Sequence, residues 1–209
     1  MVDSAAGPGQ ARTRLARTAV VDAARVLFSE RGYPGTTVDA VSERSGVPPA
    51  TVYRLFGSKL GILRALLDVT VSGDTDAAPL SEQQAARTLL AEPDPRRQLA
   101  GFAAVCREVN ARTATLYRVL VSAAESDPEA AGLLAERARL RARGQDRIAH
   151  ALAAHGALDP ALDEASAADI VHALMSPEVY RLLVTDRGWD SQRYEQWLAG
   201  TLIDQLLPR

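Results

Sequence analysis

Thr37, Thr51, Tyr53, Arg54 and Lys59 fall within one short stretch of this chain. They are hydroxyls and cations, the groups that proteins offer to phosphate oxygens and base edges. Thr51 and Tyr53 stand two apart, so on a short helix their hydroxyls can donate to neighbouring phosphates. Arg54 has the fork geometry for a bidentate contact to guanine, and a phosphate would serve it as well. Pro48 and Pro49 offer only apolar contact, such as with a thymine methyl group. Thr37 at a helix start can cap its own backbone while leaving N–H groups to face an anion, so a plain cap and a phosphate site are both open to it. Lys59 is the only lysine in the protein. Arg12 and Arg14 precede the first apolar stripe, where they can reach a flanking groove or simply be solvated.

Catalytic chemistry finds less support. Asp169 and His172 stand three apart, echoing the acid-x-x-His step of carboxylate-bridged metal bundles, but that step must occur twice and here it occurs once. His150 and His155 are five apart, the wrong step for one helix face, and there is no zinc-protease motif, Gly-rich phosphate loop or nucleophile elbow. Cys106 is the single cysteine, which rules out an intramolecular disulfide and any multi-Cys metal site. No enzyme, metal or cofactor is expected.

The whole chain has 209 residues and a net charge of -2, which hides a split. Residues 11–72 hold nine basic and five acidic side chains, so a small basic module precedes a larger acidic one. Such asymmetry suits a polyanion-binding head on an acidic body. With 47% hydrophobic residues the chain can bury a sizeable core. No apolar run approaches the roughly 18 residues needed to cross a bilayer, and residues 1–10 lack the pattern of a secretory signal. A cytoplasmic protein without a membrane partner is expected.

The elements that must position these groups all read as helices. Residues 1–10 show no periodicity and read as a mobile tail. From Arg12, the apolar positions Leu15, Ala19, Val20, Ala23, Ala24, Leu27 and Phe28 recur at helical steps, ended by Gly32. Thr36 and Thr37 offer caps for a second helix with Ala40 and Val41 inward, stopped at Gly46. Pro48 and Pro49 suit the first turn of a third helix through Thr51, Tyr53 and Leu55. Ser58 caps a fourth, running to the small-polar stretch 72–79, which is the expected domain boundary. Further helices are expected over residues 81–90, 96–111, 113–125, 128–154, 163–186 and 191–207, with no strand. The fold class is all-α: a helix-turn-helix module over 11–72 and a helical domain over 80–209.

Two short helices joined by a glycine turn, the second opening on small residues, is the geometry that lets a helix enter a DNA major groove, and an ordinary three-helix packing unit fits the same periodicity. In order along the chain stand Ala23-Ala24, Leu27-Phe28, Gly32-Tyr33, Thr36-Thr37-Val38, Gly46-Val47, Thr51-Val52-Tyr53, Phe56 and Ser58-Lys59. This run, from Val20 to Leu63, resembles the amino-terminal domain of the TetR family of bacterial transcriptional regulators. Departures are Pro48 where that family often has Ser, Ala50 for Gly, Leu55 for His and Leu60 for Glu. Most lie on or beside the third helix, so they bear on the target sequence more than on the fold. The resemblance implies that Lys59 anchors the DNA backbone, with Thr37, Thr51 and Tyr53 contacting DNA, and that the protein binds a near-palindromic double-stranded operator as a homodimer, most often as a repressor.

The resemblance also implies that the second domain dimerises and holds an effector. The segment Ser176 to Trp189, with Tyr194 and Trp197, looks like a carboxy-terminal type associated with actinobacterial members. Independently, stripes containing Ile170, Leu174, Leu182, Trp197, Leu198 and Leu202 call for burial, in a dimer seam or within one subunit. A pocket for a small apolar effector would lie among Phe102, Cys106 and Val109, then Leu116, Tyr117 and Leu120, with His172 and Met175 approaching; plain core packing fits the same stripes. A helical dimeric interaction module, or a carboxylate-bundle metal enzyme, is the competing reading. Pro177 must either begin a new helix or kink an existing one.

Overall fold

A computed structural model of the protein describes residues 8–73 and 84–208. Most of the expected tail and most of the stretch 72–79 lie outside them, as do residues 81–83 of the expected fifth helix. Among the described residues the regular elements are all helical: α1 (Pro8–Arg31), α2 (Val38–Ser45), α3 (Pro49–Phe56), α4 (Lys59–Ser72), α5 (Gln84–Leu90), α6 (Pro95–Ala124), α7 (Pro128–Ala154), α8 (Glu164–Leu174), α9 (Pro177–Tyr180) and α10 (Ser191–Leu206), with a π-helical turn over Arg181–Asp186 between the last two. None of these helices is long and apolar enough to cross a membrane.

Three differences from the expected elements have local causes. α1 starts at Pro8, inside the expected tail, because proline is tolerated in a first turn. The two helices expected over 96–111 and 113–125 are one, since Thr113 turns its hydroxyl back onto the Val109 carbonyl at 2.7 Å and nothing near it breaks the backbone ladder. Pro177 begins a new helix: Ser176 is extended (ψ 149°) and its Oγ accepts the Val179 N–H at 3.2 Å, an N-cap that ends α8 and opens α9.

The chain forms two compact units, which do not follow chain order. The first joins α1–α4 with residues 115–134, the end of α6 and the start of α7. Its core is the α1 stripe of Val20, Ala24, Leu27 and Phe28, closed by Val41, Val52, Ile62, Leu63 and Leu66, and by Leu116, Leu120 and Leu133. Each fully buried Val, Leu, Ile or Phe side chain among them contributes about 1.5–3 kcal/mol. The second unit contains α5, α8–α10 and the remaining parts of α6 and α7. There α10 turns Tyr194, Leu198, Leu202 and Leu206, four apart, onto a core with Val171 and Leu152.

The turn between α2 and α3 fixes how the two helices meet. Gly46 closes α2 at φ 69°, its N–H returning to the Ser42 carbonyl at 3.0 Å, and the Ser42 hydroxyl donates to the Val47 carbonyl at 2.7 Å. A Cβ at Gly46 would meet nothing within 4 Å. Gly46→Ala therefore isolates backbone strain, and urea unfolding should show a loss of about 1–2 kcal/mol; an unchanged midpoint would contradict the left-handed assignment.

Candidate nucleic-acid interface

α3 is eight residues long, and Val52 is its one buried side chain. Phe56 packs partly against the same core, and the outer positions are open to solvent. Pro48, Pro49, Ala50, Tyr53 and Arg54 are exposed and Thr51 is half-buried. Tyr53 is 51% exposed, an unusual position for so large a ring in a helix this short. With Arg54 beside it, the outer face of α3 offers a phenolic hydroxyl, a guanidinium and small apolar contacts, the mixture that suits a DNA groove. Ala50, which the sequence marks only as a departure from a family pattern, lies on this open face too.

Thr37 is exposed at the N-cap of α2, where its Oγ1 accepts the Ala40 N–H at 3.1 Å. Both roles left open for it are geometrically compatible, because the cap uses Oγ1 only as an acceptor and its O–H retains a donor for another partner. Its neighbour Thr36 is fully buried and donates to the Gly32 carbonyl at 2.9 Å, so the pair divides into a structural threonine and a surface one. Arg12 and Arg14 are exposed near the start of α1.

Lys59 is placed differently from a free surface lysine. Its Nζ donates to the Tyr33 carbonyl at 2.8 Å and stands 4.1 Å from the centre of the Tyr33 ring. Burial lowers its pKa, while the Asp127 carboxylate acts in the opposite direction. Tyr33 stacks on Phe28 with centroids 6.0 Å apart, and its hydroxyl pKa is pushed up to about 12 by burial first and by Asp127 second. Asp127 in turn caps α7, with Oδ1 accepting the Glu129 N–H at 2.9 Å. The lysine thus helps to tie the loop after α1 to the start of α4, and any phosphate must share its ammonium with the Tyr33 carbonyl.

Arg17 is a residue that the sequence reading counted only as charge. Its Nη1 donates to the Leu55 carbonyl at 3.2 Å, and its guanidinium carbon lies 4.9 Å from the centre of the Phe56 ring. The signal was available: positions 17, 20, 24 and 28 share one helical face, so Arg17 continues the buried stripe of α1.

The second unit separates the remaining expected residues. Phe102, Cys106 and Met175 lie in its core, whereas Leu116 and Leu120 belong to the core of the first unit, with Tyr117 half-buried in that unit. Val109 is half-buried. The Cys106 sulfur accepts from Asn110 Nδ2 at 3.2 Å, faces the Met175 carbonyl at 3.5 Å and lies 3.7 Å from the Tyr194 hydroxyl. Burial pushes the thiol pKa up to about 11 and raises that of Tyr194 as well. His172 Nδ1 pairs with Gln145 Oε1 at 2.8 Å. Among the described residues no group of three or more His, Cys, Asp or Glu is arranged to hold a metal ion.

Of the six residues expected in a dimer seam, Leu198 and Leu202 are completely buried within the chain itself. Ile170, Leu174 and Trp197 are half-buried, and Leu182 is exposed. Trp197 meets Trp189 edge-on at 6.0 Å between centroids.

Residues 20–66 match the family model described as bacterial regulatory proteins, tetR family. Over 75 residues the chain is 36% identical to the HTH-type transcriptional repressor BdcR of Escherichia coli, a match that covers 36% of each protein. The chain thus spans about a third of that repressor's length. It is 26% identical over 185 residues to the HTH-type transcriptional regulator YdeS of Bacillus subtilis, covering 85% of this chain and 83% of that one. Among solved structures, NalD of Pseudomonas aeruginosa, the secondary repressor of the MexAB-OprM multidrug efflux pump, superposes with a TM-score of 0.69 at 21% identity, covering 93% of this chain and 98% of NalD. The FadR regulator of Bacillus subtilis, solved with stearoyl-CoA, superposes with a TM-score of 0.68 at 19% identity, covering 89% of this chain and 97% of FadR. These relatives are regulators of transcription rather than enzymes. In its head the chain thus matches the family model of the tetR family of bacterial regulatory proteins, and along most of its length it is similar in sequence to YdeS and has the helical fold of NalD and FadR.

Proposed function

We propose that this protein is a transcriptional repressor that binds a near-palindromic operator as a homodimer and leaves it when a small, mostly apolar effector binds the second unit. The observation that carries the reading is the open face of α3, where Tyr53 and Arg54 stand exposed on a helix whose only buried side chain is Val52. Two such faces on a two-fold axis would read two half-sites one helical turn apart. Thr37, Thr51 and Lys59 hold phosphates in this reading, with Arg12 and Arg14 reaching the flanking groove. Selection of bound duplexes from a random library by the full chain tests it. A two-fold-related consensus is expected, and recovery of unselected sequence would overturn the reading. On that consensus Tyr53→Phe, which removes only a hydroxyl, should cost about 1 kcal/mol per subunit.

For the dimer, the surface on α8, α10 and the π-helical turn is the support. Ile170, Leu174, Trp197 and Leu182 keep apolar area open to solvent there, while Leu198 and Leu202 serve the core of their own subunit. Light scattering should give twice the 22.3 kDa chain mass. Leu182→Glu should shift that value toward the single-chain mass with stability changed by no more than about 0.5 kcal/mol; a dimer of undiminished strength would remove Leu182 from the seam. For the effector, the support is the cluster around Cys106, where Phe102 and Met175 supply apolar surface and Asn110 and Tyr194 supply polar groups, with His172 on the same helix as Val171 and paired to Gln145. A ligand there lowers operator affinity if it favours a head spacing that mismatches the half-sites. The structural relatives include a regulator solved with stearoyl-CoA and the secondary repressor of a multidrug efflux pump.

A further inference from the structure

An eight-residue helix is too short to hold its shape unaided, since isolated helices below about 12–15 residues are marginal in water. α3 has that length, and it buries a single side chain. Beyond the packing of Val52 and the partly buried Phe56 on the core, its orientation depends on what grips its two ends. At the start, the Ser42 hydroxyl holds the Val47 carbonyl and Pro48–Pro49 restrict the backbone. At the finish, the last carbonyls of any helix lack partners within it. The Tyr53 carbonyl takes the Gly57 N–H at 2.8 Å, and the Leu55 carbonyl takes Arg17 at 3.2 Å.

Arg17 suits this task for three reasons. It projects from α1, a helix of 24 residues whose next turns are locked into the core by Val20, Ala24 and Phe28. Its positive charge meets the negative end of the α3 dipole. Its planar group also covers the Phe56 ring, so one side chain grips a carbonyl and an aromatic face at the same helix end. From the other side the first turn of α4 presses on that end so closely that a Cβ at Gly61 would stand 1.9 Å from the Phe56 carbonyl oxygen.

We propose that Arg17 is a positioning residue for operator recognition: it sets the angle at which α3 presents Tyr53 and Arg54, and does so without itself contacting DNA. The inference rests on α3 being the reading helix. A residue that sets the angle of a reading helix governs base contacts, which demand exact register, far more than it governs loose electrostatic association with any duplex. A phosphate-contacting arginine has the opposite signature, weakening all sequences alike and flattening the salt dependence.

The test uses the full-length protein, a duplex selected by that protein from a random library, and a scrambled duplex, each titrated at several salt concentrations. Arg17→Met is expected to weaken binding to the selected duplex by about tenfold, with scrambled-duplex affinity and salt slope unchanged. Arg17→Lys keeps the charge and a donor for the Leu55 carbonyl, so it should recover part of the lost discrimination. If Arg17→Met does not fold, Arg17→Lys carries the test, with a smaller loss of discrimination at an unchanged slope. A slope lowered by about one unit per subunit, with both duplexes weakened, would make Arg17 a phosphate contact and overturn the proposal. Selected-to-scrambled ratios equal to the parent's in the folded variants would also overturn it. If the parent selects no sequence, the reading of α3 fails first and this inference falls with it.

Discussion

Arg54→Ala is expected to remove most of the operator affinity while leaving the fold intact. Arg54 is exposed on the outer face of α3, one residue from the exposed Tyr53, so its truncation opens no cavity. Loss of a bidentate contact to guanine costs roughly 1–3 kcal/mol per half-site. In the proposed homodimer the arginine is presented twice, so the total loss spans about one to four decades in affinity. Discrimination should relax at a single symmetric pair of positions in the operator, with the slope of affinity against salt nearly unchanged. Uniform weakening of all duplexes, with the slope reduced by about two for the dimer, would assign Arg54 to phosphate instead. The contrast with Arg17→Met is informative, since a tilted helix should degrade contacts along the whole half-site and a missing fork should degrade one.

The second large effect is on stability. Leu202→Glu should abolish the cooperative unfolding transition or bring its midpoint close to zero denaturant. Leu202 is completely buried in its own chain among Tyr194, Leu198 and Leu206 of α10 and the core that they close. Removing a buried leucine forfeits about 1.5–3 kcal/mol of burial, and an uncompensated carboxylate in that site adds several more. A domain of ordinary stability has only about 5–15 kcal/mol to lose. Loss of assembly by this variant would then follow from unfolding and say nothing about a seam. Leu182→Glu, on the exposed π-helical turn, is the variant that speaks to dimerisation. A Leu202→Glu protein that unfolds like its parent would show that α10 does not pack as described.

Much of the head was legible in the residues because its rules act over three or four positions. The stripe from Val20 to Phe28, Thr37 and Ser58 as caps, Gly46 as a stop and two prolines opening α3 each depend on neighbours within one helical turn, and each appears in the structure. α7 likewise runs from Pro128 to Ala154 as its periodicity predicts. The break expected near Arg112 did not occur, since a threonine can satisfy its hydroxyl on the preceding turn and leave the helix whole. Pro177 was undecided by local rules, which permit both a kink and a cap, and the extended backbone of Ser176 chose the cap.

Local patterns in the residues were enough for the helical fold class, the basic head with its two short helices, and the side chains that could occupy the third helix. Tertiary structure alone decided which apolar stripes are spent inside the subunit. Leu198 and Leu182 are equally hydrophobic, yet the first is fully buried and the second is 48% exposed. It also brought residues 115–134 into the first unit, parting Leu120 from Cys106, which the stripes alone had placed in one pocket. Finally, it gave Lys59 the Tyr33 carbonyl and ring as partners, and Arg17 the end of α3. The physical reason is common to all three. Periodicity states that a face must be covered and charge states that a partner is favourable, but the identity of the cover and the partner is set by elements 26, 38 or more residues away, whose approach no local pattern encodes.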